Sequence, residues 1–249
     1  MEDVRQPSAA ERVRTLAQSS VSALLTIPGA EQWTDEPGAA TPEARAVTPD
    51  GDVVLLVAAD SIEARVCAYA QDDDLTAVME ITDVAPVSVP HRVRGRAWIA
   101  GWLTPVRGDD RSACARLLAD TAPTAPPAGT SRQMLRLEVG EAYIDDLWGA
   151  ESVEPDAFAA AACDPLAAHE AELLQHLAAA HLEQVRGLCA CQGWERAAPL
   201  ALDRFGLRVR GWSASGKGPC MDARFDFAEP VGSVAELRHA MHSLFSAGG

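Results

Sequence analysis

Residues 91–106 read HRVRGRAWIAGWLTPV, and this stretch decides the fold of the N-terminal half of the chain. Val93, Ala97 and Ile99 alternate with polar or small residues, which is the period-two pattern of a strand that buries one face. The stretch therefore predicts a long strand.

Further strands and short helices surround this strand. Strands are predicted at 20–29, at 52–60 after the Pro49-Asp50-Gly51 turn, at 76–84 and at 132–148, and helices at 8–19, 61–71 and 109–120. The stretch 29–51 is rich in Gly, Pro, Thr and acidic residues, which predicts the long loop of a hairpin. Strands and helices do not alternate regularly, so the pattern disfavours a doubly wound parallel sheet and favours a small antiparallel barrel.

From residue 151 the chain is composed almost entirely of good helix formers, broken once at Asp164-Pro165. A long helix from about 166 to 190 is predicted, followed by strands at 198–212 and 220–230 with a turn at Phe205-Gly206. Ser233 followed by Glu236 three residues later is a capping box, which predicts a last helix from 233 to 247. We expect a barrel domain at 1–150, a connecting helical segment at 151–168 and an α+β domain at 169–249.

Length, composition and charge limit the classes of function. A chain of 249 residues with 48% hydrophobic and 23% charged residues is typical of a globular protein with two small domains or one large one. Its 21 basic and 36 acidic residues give a formal net charge of -15, which repels phosphate backbones and anionic lipid surfaces. Nucleic acid and membrane partners are therefore not expected.

Targeting signals and cysteines indicate the compartment. The N-terminus has acidic and polar residues where a signal peptide has an apolar run, and no stretch approaches 18 apolar residues, so a cytoplasmic location is expected. The six cysteines follow no disulfide framework and are predicted to be free thiols. Cys189 and Cys191 are too close in sequence for a typical zinc site and are predicted to be buried thiols.

Four motifs in the last third of the chain resemble a known family: LQHLAAAH (174–181), LDRFGL (202–207), RFDFAEP (224–230) and ELR (236–238). In order and spacing they are similar to the small C-terminal domain of HugZ-type haem-utilisation proteins. The first 150 residues resemble the flavin-reductase-like or pyridoxamine-phosphate-oxidase-like split barrel that precedes that domain, with Arg94-Gly95-Arg96-Ala97 as a local match. The resemblance implies an α+β fold, a split β-barrel followed by a helix-β-β-β-helix domain, and a homodimer.

The resemblance also implies haem as the cofactor, held by histidines of the first and last helices of the C-terminal domain. His181 matches the second histidine of the family's paired-histidine motif, and His239 matches the histidine of the last helix. Both are the predicted iron ligands, with His176 and His242 as alternatives. On one continuous helix His176 and His181 point about 140° apart, so they are not expected to face one iron. His239 and His242 share a face.

The chain departs from the family around the first of these ligands. The family has an acidic residue immediately before its second histidine, where this chain has Ala180, and an Asn-containing segment where this chain has only Leu and Ala. A carboxylate or carbonyl that accepts a hydrogen bond from the imidazole orients a metal-binding histidine. The acceptor for His181 is therefore expected to be missing.

Two other functions stay open at this point. Relatives of the barrel bind flavin mononucleotide (FMN), whose phosphate takes Arg, Lys, Ser and Thr donors. The barrel half offers five arginines, three of them at period-two spacing on one strand: Arg65, Arg92, Arg94, Arg96 and Arg132. The predicted function is haem binding in trafficking, storage or degradation. The alternatives are an FMN-dependent oxidoreductase and a regulatory or partner-binding module without a cofactor.

Overall fold

The computed structural model describes residues 5–30, 39–70, 75–122, 131–215 and 219–247. Within these residues the chain divides into two compact units. The barrel unit is formed from 9–83 and 95–163, and the C-terminal unit from 5–8, 84–94 and 164–247. The domain boundaries at 150 and 168 stay a prediction.

The barrel unit is built on a seven-stranded sheet. Its strands are β1 (Ala23–Thr26), β2 (Ala44–Val47), β3 (Val53–Ala58), β4 (Thr76–Val84), β5 (Val93–Pro105), β6 (Arg132–Asp146) and β7 (Gly149–Val153). The order is β1-β4-β5-β6-β3-β2, and β7 pairs with β6. The pairs β1–β4, β2–β3, β3–β6, β5–β6 and β6–β7 are antiparallel. This curled sheet confirms the predicted fold class, an α+β protein with a split β-barrel.

Alternation along β5 is confirmed for Ala97 and Ile99 but not for Val93, which is 50% exposed at the start of the strand. Ala97, Ile99 and Leu103 are buried in the main core cluster. The register shifts between Ala100 and Gly101, where a Cβ on Gly101 would lie 1.8 Å from the carbonyl oxygen of Glu138. Only glycine fits at position 101, and the extra residue of the bulge is Gly140 on β6, so the buried positions of β6 change from Leu135 and Leu137 to Ala142 and Ile144.

Four helices accompany the sheet: α1 (Ala9–Gln18), α2 (Ile62–Tyr69), α3 (Asp110–Thr121) and α4 (Pro155–Ala160). Helix α1 is held by buried arginines. Arg14 donates to the carbonyl oxygens of Thr48 and Phe158, and Arg45 donates to those of Leu16, Ala17 and Val21. Burial lowers the pKa of Arg45 to about 10. Its guanidinium donates hydrogen bonds to carbonyl groups at the C-terminal end of α1, which have no partner within the helix.

Two short strands differ from the sequence expectation. The turn at Pro49-Asp50-Gly51 forms as predicted, with Gly51 at φ 98°, but it joins β3 to β2 rather than closing a long loop back to β1. Strand β1 pairs with β4 instead. Strand β2 lies within the stretch expected to be a loop, and residues 31–38 of that stretch lie outside the described residues.

The C-terminal unit contains helices α5 (Glu170–Ala180), α6 (Leu182–Leu188) and α7 (Val234–Ala247) and strands β8 (Arg196–Asp203), β9 (Gly206–Trp212) and β10 (Met221–Asp226). The strands form an antiparallel sheet in the order β10-β9-β8. The turn between β8 and β9 is held by Asp203, whose Oδ1 accepts hydrogen bonds from the amides of Phe205 and Gly206. The predicted helix-β-β-β-helix order is confirmed, with the first helix in two parts.

Residues 84–94 belong to the C-terminal unit because buried arginines bind them there. Arg94 forms an ion pair with Glu170, and Arg210 donates to the carbonyl oxygens of Pro90 and His91 while it pairs with Asp222. None of the described helices is long and apolar enough to span a membrane.

Candidate functional site

A cavity of about 420 Å³ lies in the C-terminal unit, bounded by α5, α6, α7 and β8. Its apolar lining is Leu173, Leu177, Leu202, Val234, Leu237, Met241 and Phe245, and its polar lining is His176, His181, Gln184, Arg238 and His242. The volume falls in the range of small-molecule sites, and a mostly apolar wall with a few polar groups is the usual composition of such sites.

Helical periodicity places these side chains on the cavity wall. On α5, Leu173, His176 and Leu177 follow at i, i+3 and i+4, so they share one face. On α7 the lining residues recur every three or four positions from Val234 to Phe245. The predicted N-cap of α7 is confirmed, because Ser233 Oγ accepts from the Glu236 amide at 3.3 Å, while Glu236 Oε2 accepts from the amide of Gly232, one residue before the cap, at 2.7 Å.

The single helix predicted from 166 to 190 is wrong, and the difference decides the site. Helix α5 ends at Ala180, His181 has φ −125° and ψ 18°, and α6 begins at Leu182. As a result the rings of His176 and His181 meet edge to face, with centroids 5.0 Å apart, and both line the cavity. The expectation that these histidines face different directions is therefore wrong, because it assumed a continuous helix.

The His181 imidazole is held on two sides. Its Nδ1 lies 2.5 Å from Oε1 of Gln184, and its ring stacks on Phe245 with centroids 6.2 Å apart. With the amide oxygen of Gln184 as acceptor, Nδ1 carries the proton, which in the neutral ring leaves the lone pair on Nε2. Metal-binding histidines are oriented in this way. Gln184 thus supplies the acceptor that the sequence comparison expected to be missing.

Sequence reasoning missed Gln184 because it looked for the acceptor before the histidine. A side chain three residues after the histidine reaches back to it only when a new helix starts there. The break at His181 was the signal needed, and the sequence between 170 and 186 contains no Gly or Pro to show it.

The histidines of α7 lie in different places. Both side chains are exposed, but only His242 is among the described residues that line the cavity, and His239 has its Nδ1 3.0 Å from the carbonyl oxygen of Ala235. The structure therefore brings His176, His181 and His242 to one cavity and leaves His239 outside. Among the described residues no group of three or more His, Cys, Asp or Glu side chains is arranged to hold a metal ion. The assignment of iron ligands to His181 and His239 stays a prediction.

The arginines considered for a flavin phosphate are mostly engaged elsewhere. Arg94 is buried against Glu170, Arg132 pairs with Glu43 at 2.8 Å, and Arg96 lies 3.7 Å from Glu80. Arg92 donates to the carbonyl oxygen of Ala85, and Arg65 is exposed on α2. Four of the five arginines are therefore engaged with partners in the protein.

No disulfide bond links the described cysteines, which are Cys67, Cys114, Cys163, Cys189 and Cys220. Cys67 is buried in the barrel core, and desolvation raises its pKa to about 11. A thiol with a raised pKa is a poor nucleophile at neutral pH. Cys189 is buried at the end of α6, in agreement with a packing role.

Comparison with known proteins supports the fold. A haem-binding protein from Mycobacterium smegmatis is 25% identical, with 98% of this chain and 99% of that chain covered and a TM-score of 0.65. A protein of unknown function from Agrobacterium tumefaciens is 19% identical over 98% of each chain, with a TM-score of 0.41. An FAD- and haem-binding protein from M. smegmatis is 16% identical, covering 64% of this chain and 81% of that one, with a TM-score of 0.41. No protein-family model and no curated protein matches the sequence.

Proposed function

We propose that this protein binds haem in the cavity of the C-terminal unit, with Nε2 of His181 as an iron ligand. The observation that carries the proposal is the His181 imidazole, which lines a mostly apolar cavity while Gln184 fixes its Nδ1 proton. Haem iron takes an imidazole in a protein pocket, and the surrounding polarity sets its reactivity. The full-length likeness to a haem-binding protein supports the same ligand.

The residues of the cavity fit a haem group. Seven apolar side chains would contact the macrocycle, and no Asp or Glu stands among the described residues that line the cavity. Bound haem would supply a redox-active iron. The protein would contribute the axial imidazole, its orientation by Gln184 and an apolar wall against the macrocycle.

The last helix provides two candidates for a second ligand. His242 lines the cavity and His239 does not, so the proposal takes His242 as the α7 histidine that faces the ligand. His239 is the competing assignment from the family resemblance, and single substitutions separate the two.

The biological role that we propose is haem trafficking, storage or degradation by a cytoplasmic homodimer of the HugZ type. The barrel unit exposes Leu24, Trp102 and Tyr143, which are large apolar side chains that a second copy would cover. Sedimentation equilibrium of the full chain tests the dimer. No observation favours the FMN alternative, because four of the five candidate arginines are engaged.

The test is a visible-absorption titration of the full chain with haemin. We expect a sharpened, red-shifted Soret band that is lost in His181→Ala and kept in the matched surface control His239→Ala. Gln184→Leu should weaken haemin binding by about 10- to 100-fold, as removal of an outer-shell partner does. A full chain that leaves the haemin spectrum unchanged, or a His181→Ala variant that binds as tightly as the wild type, contradicts the proposal. Absence of both haem and flavin bands would favour the module without a cofactor.

A further inference from the structure

The cavity of the C-terminal unit carries one permanent positive charge. Arg238 is the only Lys or Arg among the described residues that line it, and no carboxylate lines it. The residue lies on α7 next to the buried Leu237 and four positions before His242, so it shares a face with His242. An arginine beside an apolar cavity is placed to receive a ligand that is both apolar and anionic.

The guanidinium of Arg238 is available for such a ligand. Among the described residues it has neither an ion pair nor a hydrogen bond. Other arginines of the same unit are engaged: Arg94 with Glu170, Arg210 with Asp222, and Arg224 with Asp203. The nearby Glu236 is engaged with the amide of Gly232 instead.

The charge of the whole protein strengthens the argument for a local role. A formal net charge of -15 repels anions at a distance. An anionic ligand therefore needs a local cation at its binding site, and arginine matches a carboxylate with two parallel hydrogen bonds.

We propose that Arg238 selects the ligand of this cavity by pairing with a carboxylate on an apolar ring system, a tetrapyrrole propionate. This inference rests on the proposed haem binding and adds a specificity residue to it. His181 recognises the iron, and Arg238 recognises the acid group. The two contacts are separable, because a metal-free porphyrin offers only the second and an esterified haemin only the first.

The experiment compares three probes on the full chain: haemin, haemin dimethyl ester and metal-free protoporphyrin IX. The wild type should bind haemin about tenfold more tightly than the ester, because the ester carries no charge for Arg238. Arg238→Met keeps the apolar stem and should remove this preference by weakening haemin binding about tenfold without changing ester binding. Arg238→Lys should restore part of the preference. Arg186→Met, on the exposed side of α6 where Arg186 pairs with Glu183, is the matched control and should behave as the wild type.

The outcomes distinguish the inference from the proposed function. If the wild type binds haemin and the ester equally and Arg238→Met changes neither, the inference is overturned while haem binding stands. If neither iron compound shifts the Soret band, haem binding fails. Protoporphyrin IX fluorescence then still tests Arg238, with a tenfold weakening in Arg238→Met expected and equal binding overturning the inference. Matching far-UV circular dichroism and thermal midpoints show that each variant is folded.

Discussion

Replacing Arg94 by Met should destabilise the C-terminal unit strongly. Arg94 Nη1 and Nη2 lie 2.6 and 3.0 Å from Oε1 and Oε2 of Glu170, and Nη1 also donates to the carbonyl oxygen of Leu200 at 3.1 Å. The two side chains are only 6% and 20% exposed. The bidentate pair ties residue 94 to the first turn of α5 and to β8, both of which contribute to the cavity wall.

The expected loss of stability follows from the Glu170 carboxylate, which stays partly buried without its ion-pair partner. Breaking a buried ion pair by removing one partner costs about 3–5 kcal/mol, because the remaining charge is desolvated without compensation. Glu170 keeps the Leu202 amide as a donor at 3.0 Å and keeps some contact with water. We therefore expect about 3 kcal/mol for Arg94→Met. The double variant Arg94→Met/Glu170→Met leaves no buried charge and should cost about 2 kcal/mol less than the sum of the single variants.

Urea unfolding of the wild type, Arg94→Met, Glu170→Met and the double variant measures the free energy of unfolding of each protein. Because the chain has two compact units, far-UV circular dichroism and tryptophan fluorescence must give coincident transitions before a free energy is assigned. An unchanged slope with a lower midpoint identifies a change in stability. Single variants that cost less than about 1 kcal/mol, or a double variant equal to their sum, would refute the reasoning, since that is how an exposed pair behaves.

Two further predictions concern the core and pH. Phe158→Ala should cost about 3–5 kcal/mol in urea unfolding, because the ring is 0% exposed. Tyr69→Ala, at an 80% exposed site, should change stability by less than about 0.5 kcal/mol, and equal effects at both sites would contradict this. Burial raises the pKa of the Asp164 carboxyl although it accepts the amides of Leu166 and Arg204. The folded state then holds the proton longer than the unfolded state, so relative to Asp164→Asn the wild type should lose stability as pH rises from 3.8 through the raised value. A gain in stability relative to Asp164→Asn over the same pH range would show that the folded state stabilises the ionised carboxylate instead.

The fold could be predicted from the sequence where side-chain burial follows a simple period. The alternation of Val93, Ala97 and Ile99 indicates β5, and the capping box at Ser233 and Glu236 indicates where α7 begins. Strand β2 escaped prediction because all four of its residues are buried and one of them is an arginine, so neither alternation nor an apolar run is visible. Strand β7 is exposed at four of its five positions and shows no period either.

The site could be predicted only in part, because it depends on a helix break that local sequence does not encode. An unbroken helix would turn His181 about 140° away from His176. The non-helical backbone at His181 is accompanied by two contacts of its ring, the hydrogen bond to Gln184 and the stacking on Phe245 from α7. One of these contacts comes from a helix about 60 residues away in sequence, so no window around His181 contains the information.

A contact between residues distant in sequence also connects α7 with the site. Arg238 and His242, four residues apart, line the cavity, whereas His239 is not among the described lining residues although it lies three residues before His242 and was expected to share its face. Phe245 on the same helix stacks on His181, so one side chain of α7 contacts the first imidazole while Arg238 and His242 of that helix line the cavity. Phe245→Ala should therefore loosen His181 and shift Arg238 and His242 together. If haemin binding weakened only through His181, the preference for haemin over its ester would survive in this variant, and coupling between the two helices would be refuted.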